Sequence, residues 1–164
     1  MTLGSPVFFK QTRVGQGGKK FTMVKFRTLK TGMSKDEISP ELRRGKGLKT
    51  TNAFCLFLRK TGLDELPQLI HVLKGEMSLI GPRPEMPFIV EQYGPLERER
   101  FTVKPGITGL AQISGCRGEI KSEKDMINRI KFDVFYIENW SLILDLKIIS
   151  QTVVNVLKGE EKAY

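Results

Sequence analysis

The sequence predicts an α/β domain of the α+β type, in which a small antiparallel sheet with an N-terminal β-hairpin packs against several helices. Three observations carry this. The chain has 164 residues, 40% of them hydrophobic, which suits one domain over residues 1–164 with one ordinary core. Two strand-like runs lie side by side near the start, and the long amphipathic patterns come later. The elements do not alternate as regular βαβ units, so a doubly wound parallel sheet is not expected.

Residues 7–13 (VFFKQTR) and 20–28 (KFTMVKFRT) read as the two arms of the hairpin, separated by VGQGGK. The GQGG stretch at 15–18 reads as a turn, because a dinucleotide fingerprint opens a helix and here a strand follows. On the second arm Phe21, Met23, Lys25 and Arg27 share parity and therefore a face, which ends an apolar face in two cations. A strand leaving the core explains that pattern as well as a binding role does. Residues 30–50 are polar, basic and broken by Gly and Pro. They read as a long, mobile surface loop with one helical turn at 40–44, either functional or merely solvated.

Residues 52–60 (NAFCLFLRK) fit a helix with Ala53, Leu56 and Phe57 on one side. In the following TGLDELPQLIHVLKG, Pro67 sets the register, because proline is tolerated only in the first turn of a helix. With Asp64 as N-cap, Pro67 falls at the third helical position; with Thr61 as cap it lies too deep. The helix is therefore expected to run from Asp64 to about Lys74 and to stop at Gly75. Leu66, Leu69, Ile70 and Leu73 form its predicted buried stripe, with His71 at the surface or boundary. Residues 77–80 read as a short strand. Arg83 stands between Pro82 and Pro84, which keep the backbone extended and stiff. Residues 85–101 read as helical and charged, and 103–115 as turn-rich. Residues 121–138 form an amphipathic helix with Met126, Ile127, Ile130, Val134 and Ile137 on one side. The last element, residues 140–157, is apolar around most of its girth, with Ser141, Asp145, Thr152 and Asn155 on a narrow stripe. Such a helix is buried on both flanks or lies on a membrane interface, and burial is the commoner case. A salt bridge or cap is the structural explanation for Asp145, which would be costly if left unpaired.

The charge is unevenly placed. Residues 1–50 carry twelve basic and three acidic side chains, and the remainder carries fifteen of each, so the whole net charge of +9 sits in the first third. A basic module points to an anionic partner: phosphate, nucleic acid or a phospholipid surface. No run approaches the ~18 apolar residues of a membrane span, and residues 1–10 lack a signal-peptide pattern. Cys55 and Cys116 form no CxxC pair and His71 is the sole histidine, so no zinc constellation exists and nothing demands an oxidising compartment.

The candidate centre is Asp64-Glu65 at a helix start, served by Lys25, Arg27, Arg59 and Arg83. Taken alone the pair has a structural explanation: Asp caps and Glu complements the dipole. The surrounding cations shift the balance, above all an arginine on a rigid Pro-Arg-Pro segment suited to bidentate phosphate recognition. A carboxylate near phosphate needs a divalent cation and guanidinium groups to neutralise the repulsion. An Asp nucleophile beside a Glu metal ligand therefore suits phosphoryl chemistry, with Mg²⁺ as the fitting hard cation.

SPVFFKQTRVGQGGKKFTMVKFRTL, LRKTGLDELPQLIHVLKGEMSLIGPRP, VKPGITGLAQISG and FYIENWSLILDLKIISQTVVNVLKG together resemble the bacterial sugar transferases, the monotopic phosphoglycosyl transferases. The resemblance runs from Ser5 to Gly159. It implies transfer of a sugar-1-phosphate from a UDP-sugar to undecaprenyl phosphate, with UMP released through a phospho-aspartyl intermediate. That is the first membrane step of exopolysaccharide, O-antigen or glycoconjugate assembly. It further implies that Asp64 attacks the β-phosphate and that Glu65 holds Mg²⁺. Arg83, Lys25 and Arg59 match the family's phosphate-binding arginine, its strand lysine and the arginine ahead of the dyad; Asp145 matches the aspartate of LDLK. Family members typically carry a hydrophobic re-entrant helix just before SPVFF, and this sequence starts almost at that segment. Stable insertion is therefore not expected. Peripheral attachment to an anionic membrane surface, through the basic first third and the apolar last helix, is. The implied location is the cytoplasmic face of the bacterial inner membrane, or the cytosol if the helix is truly lacking.

Two readings from other classes compete. A nucleic-acid-binding module is compatible with a pI near 9.7. However, no RRM, KH or helix-turn-helix signature appears, and the ten phenylalanines fall mostly on core-like positions, so nucleic acid is not the expected partner. A catalytically silent membrane-surface domain is the other.

Overall fold

The computed structural model describes residues 6–29, 53–116 and 122–158; the basic stretch 30–50, with the helical turn predicted at 40–44, lies outside these residues. The predicted hairpin is present as β1 (Phe8–Val14) and β2 (Lys20–Phe26), antiparallel, with Phe9 opposite Lys25, Gln11 opposite Met23 and Arg13 opposite Phe21. The GQGG stretch is the turn between them, closed by a Gly15 N–H to Lys19 carbonyl bond of 2.8 Å. Next come α1 (Ala53–Thr61), a 3-10 turn (Leu63–Gln68) running into α2 (Leu69–Leu73), and β3 (Ser78–Ile80). The charged stretch then breaks into α3 (Pro87–Val90), α4 (Pro95–Arg98) and a 3-10 turn (Glu99–Phe101), with proline at the first turn of both helices. After β4 (Gly106–Thr108) and α5 (Leu110–Ile113), the chain ends in two long helices, α6 (Glu123–Glu138) and α7 (Leu142–Lys158). Ser122 caps α6 in a reciprocal capping box with Asp125.

The domain is mixed α/β as expected, but it carries a second sheet, the parallel pair β3–β4. The turn-rich reading of 103–115 missed β4. Glycine makes this pairing possible, because a Cβ at Gly106 would stand 2.1 Å from the Gly81 nitrogen. Two small apolar clusters form the core, one around Val14, Val90 and Tyr93 and one around Ile80, Tyr136 and Ile148.

Several helix faces are the reverse of those expected. Leu66, Leu69, Ile70 and Leu73 are exposed, Leu73 to 87%, whereas Asp64, Gln68 and His71 on the other side are buried. The polar side is the one with partners: the His71 Nε2 accepts the Val24 N–H of β2 at 3.2 Å, and its Nδ1 pairs with the Glu76 carboxylate at 2.7 Å. In α7, too, the polar side faces the protein. Asn155 of its narrow stripe is buried, Thr152 bonds Thr108 of β4 at 2.8 Å, and Ile148 between them is buried as well. Leu142, Ile143, Leu146, Ile149, Val153 and Leu157 face outward. In α1 the buried residue is Cys55 rather than Phe57. In α6 the predicted face largely holds, with Ile130 buried and Met126 and Ile137 packed against the two clusters, although Ile127 is exposed and the polar Arg129 and Asp133 are buried. Among the described residues no helix is long and apolar enough to cross a membrane.

Candidate active site

The site begins where α1 stops. Gly62 takes φ 69°, a left-handed conformation that other residues reach only at a cost, and its N–H bonds the Arg59 carbonyl at 3.1 Å. The Gly62 carbonyl then accepts the Glu65 N–H at 3.0 Å and starts the 3-10 turn. This corrects the expectation that Asp64 is an N-cap. The turn opens two residues earlier, and Pro67, which has no N–H and crowds the carbonyl four residues back, keeps the segment tighter than an α-helix. The capping explanation for Asp64 is thereby removed. Asp64 is 9% exposed and sits in a turn that packs on β2. The predicted stop is present: Gly75 N–H bonds the Val72 carbonyl at 3.0 Å and Glu76 N–H the His71 carbonyl at 2.9 Å, the paired bonds of a glycine-terminated helix.

Five of the sequence-predicted residues come together. Arg83 donates two hydrogen bonds to the Glu65 carboxylate, Nη1 to Oε2 at 3.1 Å and Nη2 to Oε1. Lys25 projects from β2 with its ammonium 4.9 Å from the centre of the Phe9 ring. Burial pushes Asp64 up to about 6, Glu65 adds to the shift, and Lys25, Arg59 and Arg83 oppose it. Burial also lowers Lys25, against the pull of Glu65 and Asp64. Glu65 raises Arg83 further above its already high value. The result is an adjacent carboxylate pair facing three cations of different geometry.

Two predicted residues are held by other partners. Arg27 donates through Nε to the Pro6 carbonyl at 2.9 Å, and its guanidinium lies 5.8 Å from the Phe9 ring centre. Asp145 accepts the Tyr136 hydroxyl at 2.9 Å and the Trp140 indole N–H at 3.1 Å, tying the start of α7 to α6. Sequence reasoning missed a buried ionic group behind Arg83. Glu85 is 3.6 Å from each of Arg13, Arg100 and Arg129, and Arg100 reaches Asp133 at 2.6 Å. Arg100, in a stretch read as helical and charged, is 2% exposed.

Among the described residues no cluster of three or more His, Cys, Asp or Glu side chains offers a preformed metal cage. The Asp64–Glu65 pair supplies two carboxylates, one of them destabilised as an anion first by burial and then by its neighbour. That set fits Mg²⁺ shared with substrate phosphates, the usual way this ion is held.

A family model described as bacterial sugar transferase matches residues 1–159. The chain belongs to the bacterial sugar transferase family. It is 47% identical over 161 residues to a Bacillus subtilis protein named uncharacterized sugar transferase EpsL, covering 98% of this chain and 74% of that protein. It is 43% identical over 167 residues to the UDP-glucose:undecaprenyl-phosphate glucose-1-phosphate transferase of Xanthomonas campestris, covering 100% of this chain and 34% of the relative. The Escherichia coli protein of the same name is 45% identical over 153 residues, 90% of this chain and 32% of its own length. The chain thus spans about three quarters of the first of these relatives and about a third of the other two. As a bacterial sugar transferase it places Asp64, Glu65, Lys25, Arg59 and Arg83 in one cluster, and so gives the family assignment a candidate centre.

Proposed function

We propose that this sugar transferase moves a sugar-1-phosphate from a UDP-sugar to undecaprenyl phosphate. The observation that carries the reading is the buried Asp64 carboxylate, free of any capping duty and faced by Lys25, Arg59 and Arg83. The Asp64 oxygen forms a bond to the sugar-bearing phosphorus while the bond from that phosphorus to the bridging oxygen breaks, releasing UMP. An oxygen of undecaprenyl phosphate then attacks the same phosphorus and frees Asp64. Arg83 and Lys25 bind and orient the phosphate oxygens, and Arg59 lowers the repulsion between carboxylate and phosphate. Mg²⁺ held by Glu65 would supply charge neutralisation on the diphosphate. The names of the relatives point to UDP-glucose as the first donor to try. With UDP-glucose and undecaprenyl phosphate in detergent, UMP release is expected, lost in EDTA and restored by Mg²⁺. Release undiminished by EDTA would remove the metal from the reading.

A membrane surface is part of the same proposal. Phe54 and Phe57 of α1, Leu69, Ile70 and Leu73 of α2, and the outward side chains of α7 are all exposed, and α1 packs against α7 and the turn that carries Asp64. Large exposed apolar groups on neighbouring helices fit an interface with lipid, which is where the polyprenyl substrate resides. Replacing Ile70 and Leu73 together by Glu is expected to lower co-sedimentation with anionic liposomes at least about tenfold, since each leucine-sized side chain contributes about 1.5–3 kcal/mol when buried. Unchanged thermal melting and unchanged liposome binding would show that lipid meets a different face.

A further inference from the structure

Pro82 and Pro84 have no N–H to give, and the segment that carries Arg83 meets β1 in a single isolated bridge, Val14 with Glu85, rather than as a strand. Its carbonyls are instead bonded one by one from outside. Gly106 N–H donates to Pro82 at 2.8 Å, Arg100 Nη2 to Arg83 at 3.0 Å, Arg13 Nη1 to Pro84 at 3.3 Å and Val14 N–H to Glu85 at 2.9 Å. Two of these four bonds come from buried arginine side chains, and both arginines also face the Glu85 carboxylate at 3.6 Å. Arg100 does the most: its Nη2 is 2.6 Å from Asp133, and its Nη1 donates to the Tyr93 hydroxyl at 2.9 Å. Burying so many ions adds little to stability, since apolar packing serves at least as well. What the group does provide is a fixed direction for one backbone carbonyl, and so for the side chain that leaves the same residue.

We propose that Arg100, locked by Asp133, Glu85 and Tyr93, is a positioning residue that aims Arg83 at the Asp64–Glu65 pair; this rests on the transferase reading above. Arg83 keeps its bidentate grip on Glu65, or on a phosphate in its place, only while its backbone carbonyl is held. A guanidinium fork is required at position 100, because a lysine presents one nitrogen where the site uses two.

The test is Arg100→Lys alone and combined with Arg83→Ala, in the full chain with UDP-glucose and undecaprenyl phosphate. Arg100→Lys is expected to lower kcat/KM about 100-fold, the cost of an ångström-scale misplacement. In the Arg83→Ala background it is expected to change the rate by no more than about twofold, because the effect passes through Arg83. Additive losses would overturn the proposal. Should Arg100→Lys fail to fold, Asp133→Asn carries the same cycle, since it leaves the arginine in place and loosens one of its anchors. A crystal structure of the folded variant supplies an arm independent of turnover. The Arg83–Glu65 bonds are expected to be broken or shifted, and their retention would sink the positioning role. Absence of UMP release by the wild-type chain would count against the transferase reading alone, with the structural arm still deciding the role of Arg100.

Discussion

Asp64→Asn is expected to abolish UMP release, by about 10⁴-fold or more, while leaving the chain at least as stable as before. The first half follows from the role assigned to the carboxylate, since an amide of the same shape cannot form the acyl phosphate that a carboxylate oxygen forms with phosphorus. The second half follows from burial. Asp64 is raised from 3.8 to about 6, first by burial and then by Glu65, so its folded pKa lies above its unfolded one. Between about pH 4 and 6 the folded chain holds a proton that the unfolded chain has already lost, and stability falls as pH rises through that window. At pH 7 the ionised group costs on the order of 3 kcal/mol, which the neutral Asn does not incur. A melting temperature at pH 7 equal to or a few degrees above wild type, with no turnover, is the expected pair of results. The gap should close at pH 4, where the native aspartate is protonated. Full turnover in Asp64→Asn would discard the nucleophile, and a large loss of stability would mean that the carboxylate has a structural partner after all.

This opposition between stability and chemistry also separates what the sequence revealed from what it hid. The hairpin was legible because alternation with a glycine turn is a local signal, and Gly75 because a helix stop is equally local. Residues Asp64, Glu65 and Arg83 stood out because the carboxylate pair has cations about it, one of them on a stiff Pro-Arg-Pro segment, and because the stretches that carry them resemble one family. Which way each helix turned was not legible. Leu66, Leu69, Ile70 and Leu73 do form a stripe at helical spacing, but a stripe records amphipathicity and not which side meets the protein. Here the polar side carries Asp64, Gln68 and His71 toward β2, and the leucines face out. Expecting apolar stripes to face the protein gave the wrong side for α2, and for α7 it favoured burial of side chains that are exposed. The buried group around Glu85 escaped for another reason: its charges come from β1, from the segment after Arg83, from the turn after α4 and from α6. No window along the chain contains it.

Arg83→Lys is expected to lower kcat/KM about 10²- to 10³-fold even though the charge is kept. The reason lies in geometry. Arg83 meets Glu65 through both terminal nitrogens, each on its own carboxylate oxygen, and a phosphate offers the same pair of oxygens at similar spacing. When a diphosphate enters, the fork can exchange one anion for the other, so that binding the substrate and releasing the Glu65 carboxylate are one event. A lysine carries a single nitrogen and would neutralise Glu65 without holding the phosphate in register. It would also leave the carbonyl of residue 83 bonded to Arg100, so the backbone stays in place and the loss reports on the side chain alone. Kinetics in the UMP-release assay, alongside a melting curve, make the measurement. A rate within about threefold of wild type would show that charge suffices at this position. A hundredfold loss that returns when the fork is restored would show that two nitrogens, in one plane, are what the Pro-Arg-Pro segment exists to present.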